Sequence, residues 1–286
     1  MNVRAIKLAF GLLTALASLC SISSAYAETT LERAKANGFV RIAFANESPY
    51  GFATPDGKLT GEAPEIARAV LASMGIPEVD GVLTEWGSLI PGLKAGRFDM
   101  IAAGMFITAK RCKQISFSEP TYGMGQALMV KQGNPKNLRT YEDVAKAGAT
   151  LAVVAGAIEV DQAKDKGVTN LLTIPDFATG LAAVQSGRAD AFALTSISIL
   201  QLVERAGPDA GVERAEPFTF VNSEGKVQKG HGGFGFRKED EDLLAEFNKH
   251  LTEFVGSEEH LTLVGPFGFG KSELPEMTAA QLCVEG

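Results

Sequence analysis

Apolar and polar positions along this chain repeat on two periods. Over residues 62–74, Ile66, Val70 and Met74 fall four apart. That is the repeat of one helix face, and it predicts a helix there. Residues 88–95 read as a second helix, stopped by Gly96. Short apolar runs at 40–45, 82–85, 99–103, 127–131 and 151–154 predict buried strands. Strands alternating with helices imply an α/β fold, with helices packed on mostly parallel sheets.

The pattern also repeats at longer range. Residues 92–101 read GLKAGRFDMI, and residues 183–192 read AVQSGRADAF. Each is a helix end, then Gly-Arg-x-Asp, then an apolar strand, with the glycine suited to cap the helix. A similar unit in each half suggests two similar lobes. The competing explanation is that such joints recur in any α/β protein.

Residues 1–27 follow a different rule. Arg4 and Lys7 give a positive start, residues 8–19 are almost entirely apolar, and Ala25-Tyr26-Ala27 is a small-x-small cleavage site. This is the pattern of a secretory signal peptide, expected to be cut between Ala27 and Glu28. The apolar run is short for a membrane span. Cys20 invites a lipoprotein reading, but Leu19 before it is bulky where a lipobox needs a small residue.

Of 286 residues, 259 then remain, enough for two lobes. No second apolar run is long enough to span a bilayer, so the mature chain is expected to be soluble. Losing Arg4 and Lys7 takes the formal charge from −7 to −9. An acidic exported chain argues against nucleic acid and anionic membrane as partners. Cys112 and Cys283 survive processing. An oxidising compartment permits a disulfide between them, and two free thiols remain an equal alternative. There is no CxxC, and His231, His250 and His260 show no metal spacing, so neither metal nor cofactor is implied.

A resemblance now adds to this picture. The run from Trp86 to Asp99 (WGSLIPGLKAGRFD), then MIAAGMFITAKR to Arg111, then ISFSEPTY to Tyr122, resembles the polar amino-acid-binding proteins of ABC importers. The opening VRIA at Val40 and LTGE at Leu59 fit as well, so the likeness runs over essentially the whole mature chain. It implies a two-lobed periplasmic binding protein of type II, with a hinge between the lobes and the ligand in the cleft. The large lobe is expected at 28–126 and 235–286, and the small lobe at 127–234, with two crossing strands as the hinge. Domain closure around the ligand is the implied motion. The implied setting is the periplasm, the implied partner a permease in the inner membrane, and the expected state a monomer.

The resemblance also implies a site. Arg111 falls where the family places its carboxylate-binding arginine, whose planar guanidinium can hold a carboxylate with two parallel hydrogen bonds. Backbone N–H groups near Gly104 and Phe106, and near Gly156, Ala157 and Ile158 of the small lobe, can add to this. Binders of α-amino acids in this family usually carry an Asp after the second Gly-x-x-Asp-Ala strand, to hold the ammonium. Here the strand ends in Thr195. Tyr50, Trp86 and Phe106 fall at cleft-lining positions of the large lobe, and aromatic faces attract a diffuse cation at roughly 0.5–2 kcal/mol per contact. Glu47 can accept an N–H from the same cation.

The set Glu47, Tyr50, Trp86, Phe106, Arg111 resembles the ectoine/hydroxyectoine-binding components of such importers. Those are expected to cage the cation with Phe, Tyr and Phe, where this chain offers Tyr, Trp and Phe. The implied ligand is a small zwitterion, and the small lobe closes over it through Gly156 to Glu159, Thr195 and Ser196. Polar amino acids or opines are the first alternative, and a sensor that hands its closed form to a membrane kinase uses the same physics. An enzyme resembling prephenate or arogenate dehydratases would need a general acid in the cleft. Glu47 and Glu119 are the available carboxylates, and Glu119 fits better in its Phe-Ser-Glu-Pro turn, so a non-enzymatic role is expected. Residues 265–272 (GPFGFGKS) match the phosphate-loop pattern letter for letter. Only 14 residues follow, with Pro275 inside the would-be helix, so a glycine-rich loop is expected instead.

Overall fold

The computed structural model describes residues 28–216, 218, 220–221 and 228–284. The expected signal peptide lies outside them. Two separate sheets carry the fold. The first orders its strands Glu78–Leu83, Phe39–Phe44, Met100–Phe106, Gly230–Phe236 and Ser116–Phe117, with Tyr122–Met124 also paired to Gly230–Phe236. The second runs Leu171–Ile174, Leu151–Val154, Ala191–Thr195, Gln126–Lys131 and Val212–Arg214. The α/β, two-lobed architecture read from the pattern is therefore present.

Each sheet is more mixed than the sequence suggests. Three strands are parallel in each, and the strand the chain brings across from the other half then pairs antiparallel. Gln126–Lys131 enters the second sheet directly after Gly125, and Gly230–Phe236 pairs with the first sheet over its whole length. A crossing strand arrives from the opposite lobe with its direction reversed, and local hydrophobicity carries no sign of that.

The repeated Gly-Arg-x-Asp unit makes the same joint twice. The Asp99 N–H donates to Arg41 O at 2.8 Å, and its carboxylate accepts from Arg41 N at 3.2 Å. The Asp190 N–H donates to Thr150 O at 2.8 Å, and its carboxylate accepts from Thr150 N at 2.8 Å. In both lobes the aspartate closes the otherwise open start of a parallel strand pair, where backbone groups would lack partners.

Helix Glu62–Ser73 buries Ile66 and Val70, with Met74 as its buried cap residue, matching the spacing of four. The strand expected at 82–85 instead spans Glu78–Leu83. It is an edge strand, largely exposed, so its polar residues hide the start. The expected helix at 88–95 divides into a 3₁₀ turn, Trp86–Ser88, and helix Leu89–Lys94. The strand expected at 99–103 runs on to Phe106, because it lies between two partners in the middle of its sheet. Residues 265–272 follow helix Glu258–Val264 and form two 3₁₀ turns, Gly265–Phe267 and Lys271–Glu273, without the strand a phosphate loop needs before it. Cys112 and Cys283 form a disulfide, which settles the question the sequence left open. No helix among the described residues is long and apolar enough to cross a membrane.

Candidate functional site

The parallel strands of both sheets end toward the same interlobe cleft, the usual place for ligands in open α/β sheets. After strand Phe39–Phe44 the chain turns through Glu47 and Tyr50. Trp86 opens the 3₁₀ turn after the edge strand. Gly104 and Phe106 stand at the end of the central strand, and Arg111 follows on the single-turn helix Ala109–Cys112. From the other sheet, Gly156, Ala157 and Ile158 connect strand Leu151–Val154 to helix Ile158–Asp165. Thr195 ends its strand and caps helix Ser196–Ala206, accepting from Ser198 N at 3.3 Å.

These residues meet. Glu47, Tyr50, Trp86, Gly104, Phe106, Arg111, Ala157, Ile158 and Thr195 line one small cavity of about 30 Å³ between the lobes. Gly156 lines the adjoining mouth of the cleft, which shares Trp86, Arg111, Ala157 and Ile158 with the inner chamber. Ser196 is not part of the lining. Its hydroxyl donates to Met124 Sδ at 3.1 Å, on another side of the helix end.

Arg111 is only 7% exposed, so it is no solvated surface charge. Its Nη1 donates to Phe106 O at 2.8 Å and its Nη2 to Gly156 O in the other lobe at 3.2 Å. The guanidinium carbon stands 5.7 Å from the centre of the Trp86 ring. With two of five N–H groups held by carbonyls, the rest of the fork remains for a carboxylate. Burial draws its affinity for a proton below the ordinary guanidinium value, and the charge of Glu159 opposes that.

The aromatic wall is built in depth. Tyr50 packs on Tyr122 at 5.0 Å between ring centres and on Phe269 at 5.6 Å. Tyr122 also supports Phe106 at 6.0 Å. A Cβ at Gly104 would overlap the Tyr50 ring, so the residue is there for close approach, and its carbonyl accepts from the Tyr122 hydroxyl at 2.7 Å. Gly104 thereby seats Tyr50, a role separate from the contribution expected of its N–H.

Several cavity residues have no role in the sequence reading. Phe177 from the small lobe meets Trp86 edge to face at 6.2 Å. Leu194 also lines the chamber. Ser198, behind the lining, donates to Glu47 Oε1 at 2.8 Å across the cleft. Glu159, expected only as part of the closing segment, is a second buried carboxylate of the lining. No local signal marks these residues, because each reaches the chamber only when the two lobes approach.

The chamber therefore holds one arginine and two carboxyls away from water. Burial pushes the Glu47 carboxyl up to about 8, the bond from Ser198 opposes this, and the charge of Glu159 adds to it. Burial pushes Glu159 up to about 7, against a hydrogen bond from its own backbone N–H and the attraction of Arg111. Such acids are restored to their charged form by a cation placed beside them. The arrangement can hold an anion at Arg111 and a cation between the rings and the acids.

Comparison with known proteins bears on the family and the fold. The family described as bacterial extracellular solute-binding proteins, family 3, matches residues 40–265. A probable amino-acid ABC transporter periplasmic-binding protein of Sinorhizobium fredii is 40% identical over 261 residues, 89% of this chain and 86% of its own. A cyclohexadienyl dehydratase of Pseudomonas aeruginosa is 27% identical over 212 residues, 73% of this chain and 78% of its own. The crystal structure of EhuB in complex with hydroxyectoine superposes with a TM-score of 0.81 at 34% identity, over 91% of this chain and 99% of that one. The fold is thus the two-lobed, type II binding-protein fold.

Proposed function

The chain belongs to the bacterial extracellular solute-binding proteins of family 3, and we propose that it captures ectoine or hydroxyectoine between its lobes for an ABC importer. The broader role, solute binding for amino-acid-type ABC transport, follows from the family. The narrower one rests on a single observation. One buried chamber joins Arg111 to four aromatic rings, Tyr50, Trp86, Phe106 and Phe177. A carboxylate on Arg111 and a delocalised, weakly hydrated cation against the rings match a ring-borne zwitterion.

In this reading the ligand docks on Glu47, Tyr50, Trp86, Phe106 and Arg111 of the large lobe, 28–126 and the C-terminal part from Gly230 on, since strand Gly230–Phe236 joins that lobe's sheet from its first residue. The small lobe, which ends before Gly230, then closes through Gly156 to Glu159 and Thr195. The ligand favours closure only by the contacts it gains in that state. The signal peptide directs the chain to the periplasm, where the closed monomer meets its permease.

A second reading follows from Glu159. Although position 195 carries no acid, Glu47 and Glu159 bring two carboxyls to the chamber. They can hold a compact ammonium, as a polar amino acid or an opine would require. The dehydratase-like reading has less support. Its acid would be Glu47, which is bound to Ser198, or Glu159, which Arg111 draws toward its charged form, while Glu119 Oε2 accepts from Ala279 N at 3.0 Å away from the chamber.

Calorimetric titration of refolded, ligand-free protein tests the proposal, with ectoine, hydroxyectoine, arginine and glutamate in parallel. Binding of either ectoine with the amino acids silent supports it. The reverse result keeps the fold and Arg111 but hands the cation to Glu47 and Glu159. Prephenate left unchanged after incubation removes the enzymatic alternative.

A further inference from the structure

The helix that carries Arg111 is a single turn, Ala109–Cys112. One turn has almost no stability of its own, since nucleation costs more than one hydrogen bond returns. Successive side chains on a helix point about 100° apart. Here three neighbours use that spread. Lys110 reaches outward to Asp161 of the small lobe at 2.6 Å. Arg111 points into the chamber. Cys112 points to helix Ala279–Val284 and is bonded to Cys283.

The C-terminal segment is itself well anchored. Ala279 N donates to Glu119 Oε2 at 3.0 Å, Glu276 N donates to His231 Nε2 at 3.3 Å, and Lys229 pairs with Glu276 at 2.8 Å. Leu282 is buried in the hydrophobic core, with Met277 packed against it. A covalent bond from this fixed segment to Cys112 sets the rotation of the turn about its axis, and with it the direction of the next side chain.

We propose that the Cys112–Cys283 disulfide is a positioning element that aims Arg111 at the ligand carboxylate. The idea rests on the binding role proposed for Arg111. Its test need not, because Trp86 is the chain's single tryptophan and the Arg111 guanidinium carbon lies 5.7 Å from its ring. Trp86 emission therefore reports where Arg111 stands, whatever the ligand.

The experiment compares the wild type, the C112S/C283S variant, R111Q, and the combination of all three changes. Disulfide removal is expected to move Trp86 emission toward that of R111Q, and to change nothing further once Arg111 is gone. In parallel, ectoine affinity is expected to fall about 10-fold in the C112S/C283S variant and not to fall further in the R111Q background, the signature of coupled residues. Unchanged emission in a folded C112S/C283S variant, with only a lower melting temperature, would overturn the proposal and leave the disulfide a simple staple. If that variant does not fold, phosphine reduction of the folded wild type, with the freed thiols counted, gives the same reading from Trp86. If the wild type ignores ectoine, the ligand assignment fails, yet the emission comparison still decides the role of the disulfide.

Discussion

In the proposed function, Arg111 is the group that takes the ligand carboxylate. Removing one partner of a buried, hydrogen-bonded charge pair costs about 2–5 kcal/mol. Arg111→Ala is therefore expected to weaken binding by roughly 30-fold to several thousand-fold in calorimetry. Trp86→Ala removes one cation–π wall and is expected to cost roughly 2- to 30-fold, with Trp86→Phe recovering most of it. Gly104→Ala forces the Tyr50 ring out of its seat from a backbone with φ of 63°. The expected loss is about 1–3 kcal/mol of stability in denaturant titration, together with weaker binding. At this scale the sequence was informative for one half of the site. Glu47, Tyr50, Trp86, Phe106 and Arg111 sit in or beside contiguous motifs of one lobe, so a linear reading brings them together. Phe177, Leu194 and Ser198 lie 66 to 151 positions from those five residues, and the approach of the small lobe brings them to the same chamber.

Among the elements, the strand Gly230–Phe236 shows why half of the architecture stays hidden in the sequence. Its HGGFGF composition is poor strand material. Yet a Cβ at Gly230 would overlap the Phe106 ring, and one at Gly232 would overlap the Tyr122 ring. The glycines give up strand propensity so that two large rings of the site wall can lie flat on the backbone. The disulfide was undecidable from sequence for a related reason. Cys112 and Cys283 are 171 residues apart, and only the folded chain brings their Cα atoms to 5.6 Å. A loop of that length removes much freedom from the unfolded chain, so the C112S/C283S change is expected to cost about 2–5 kcal/mol. In a chain of this size that lowers the melting temperature by roughly 5–20 °C in a calorimetric scan. The edge strand and the antiparallel crossing strands were missed because pairing partners, more than local hydrophobicity, define them.

At the scale of the whole molecule, closure is expected to be coupled to charge. Contacts bridge the cleft on both rims: Lys110 to Asp161 on one, and Ser48 Oγ to Gln201 at 2.7 Å and Gln201 to Phe267 O at 3.3 Å on the other. Arg205 adds a bond to Ser48 and stacks on Phe52. Between the rims, closure without ligand must bury Glu47 and Glu159. In the closed form burial raises them to about 8 and about 7, while in an open, hydrated cleft they return toward the ordinary 4.5. The closed form thus binds more protons than the open form between these values. By linkage, ligand-free closure is fully favoured below about pH 4.5 and is lost as pH rises through 7 and 8. A cation lodged among the rings lets both acids stay charged, so liganded closure escapes the penalty. Small-angle scattering of ligand-free protein is expected to show a compact particle at pH 5 that expands by pH 9. Saturating ligand should keep it compact throughout, and Glu47→Gln with Glu159→Gln should flatten the ligand-free profile. A ligand-free radius that stays constant from pH 5 to 9 would separate closure from these two carboxyls. The rim contacts alone would then set the balance between open and closed, and the ligand would act through Arg111 and the aromatic wall without help from proton release.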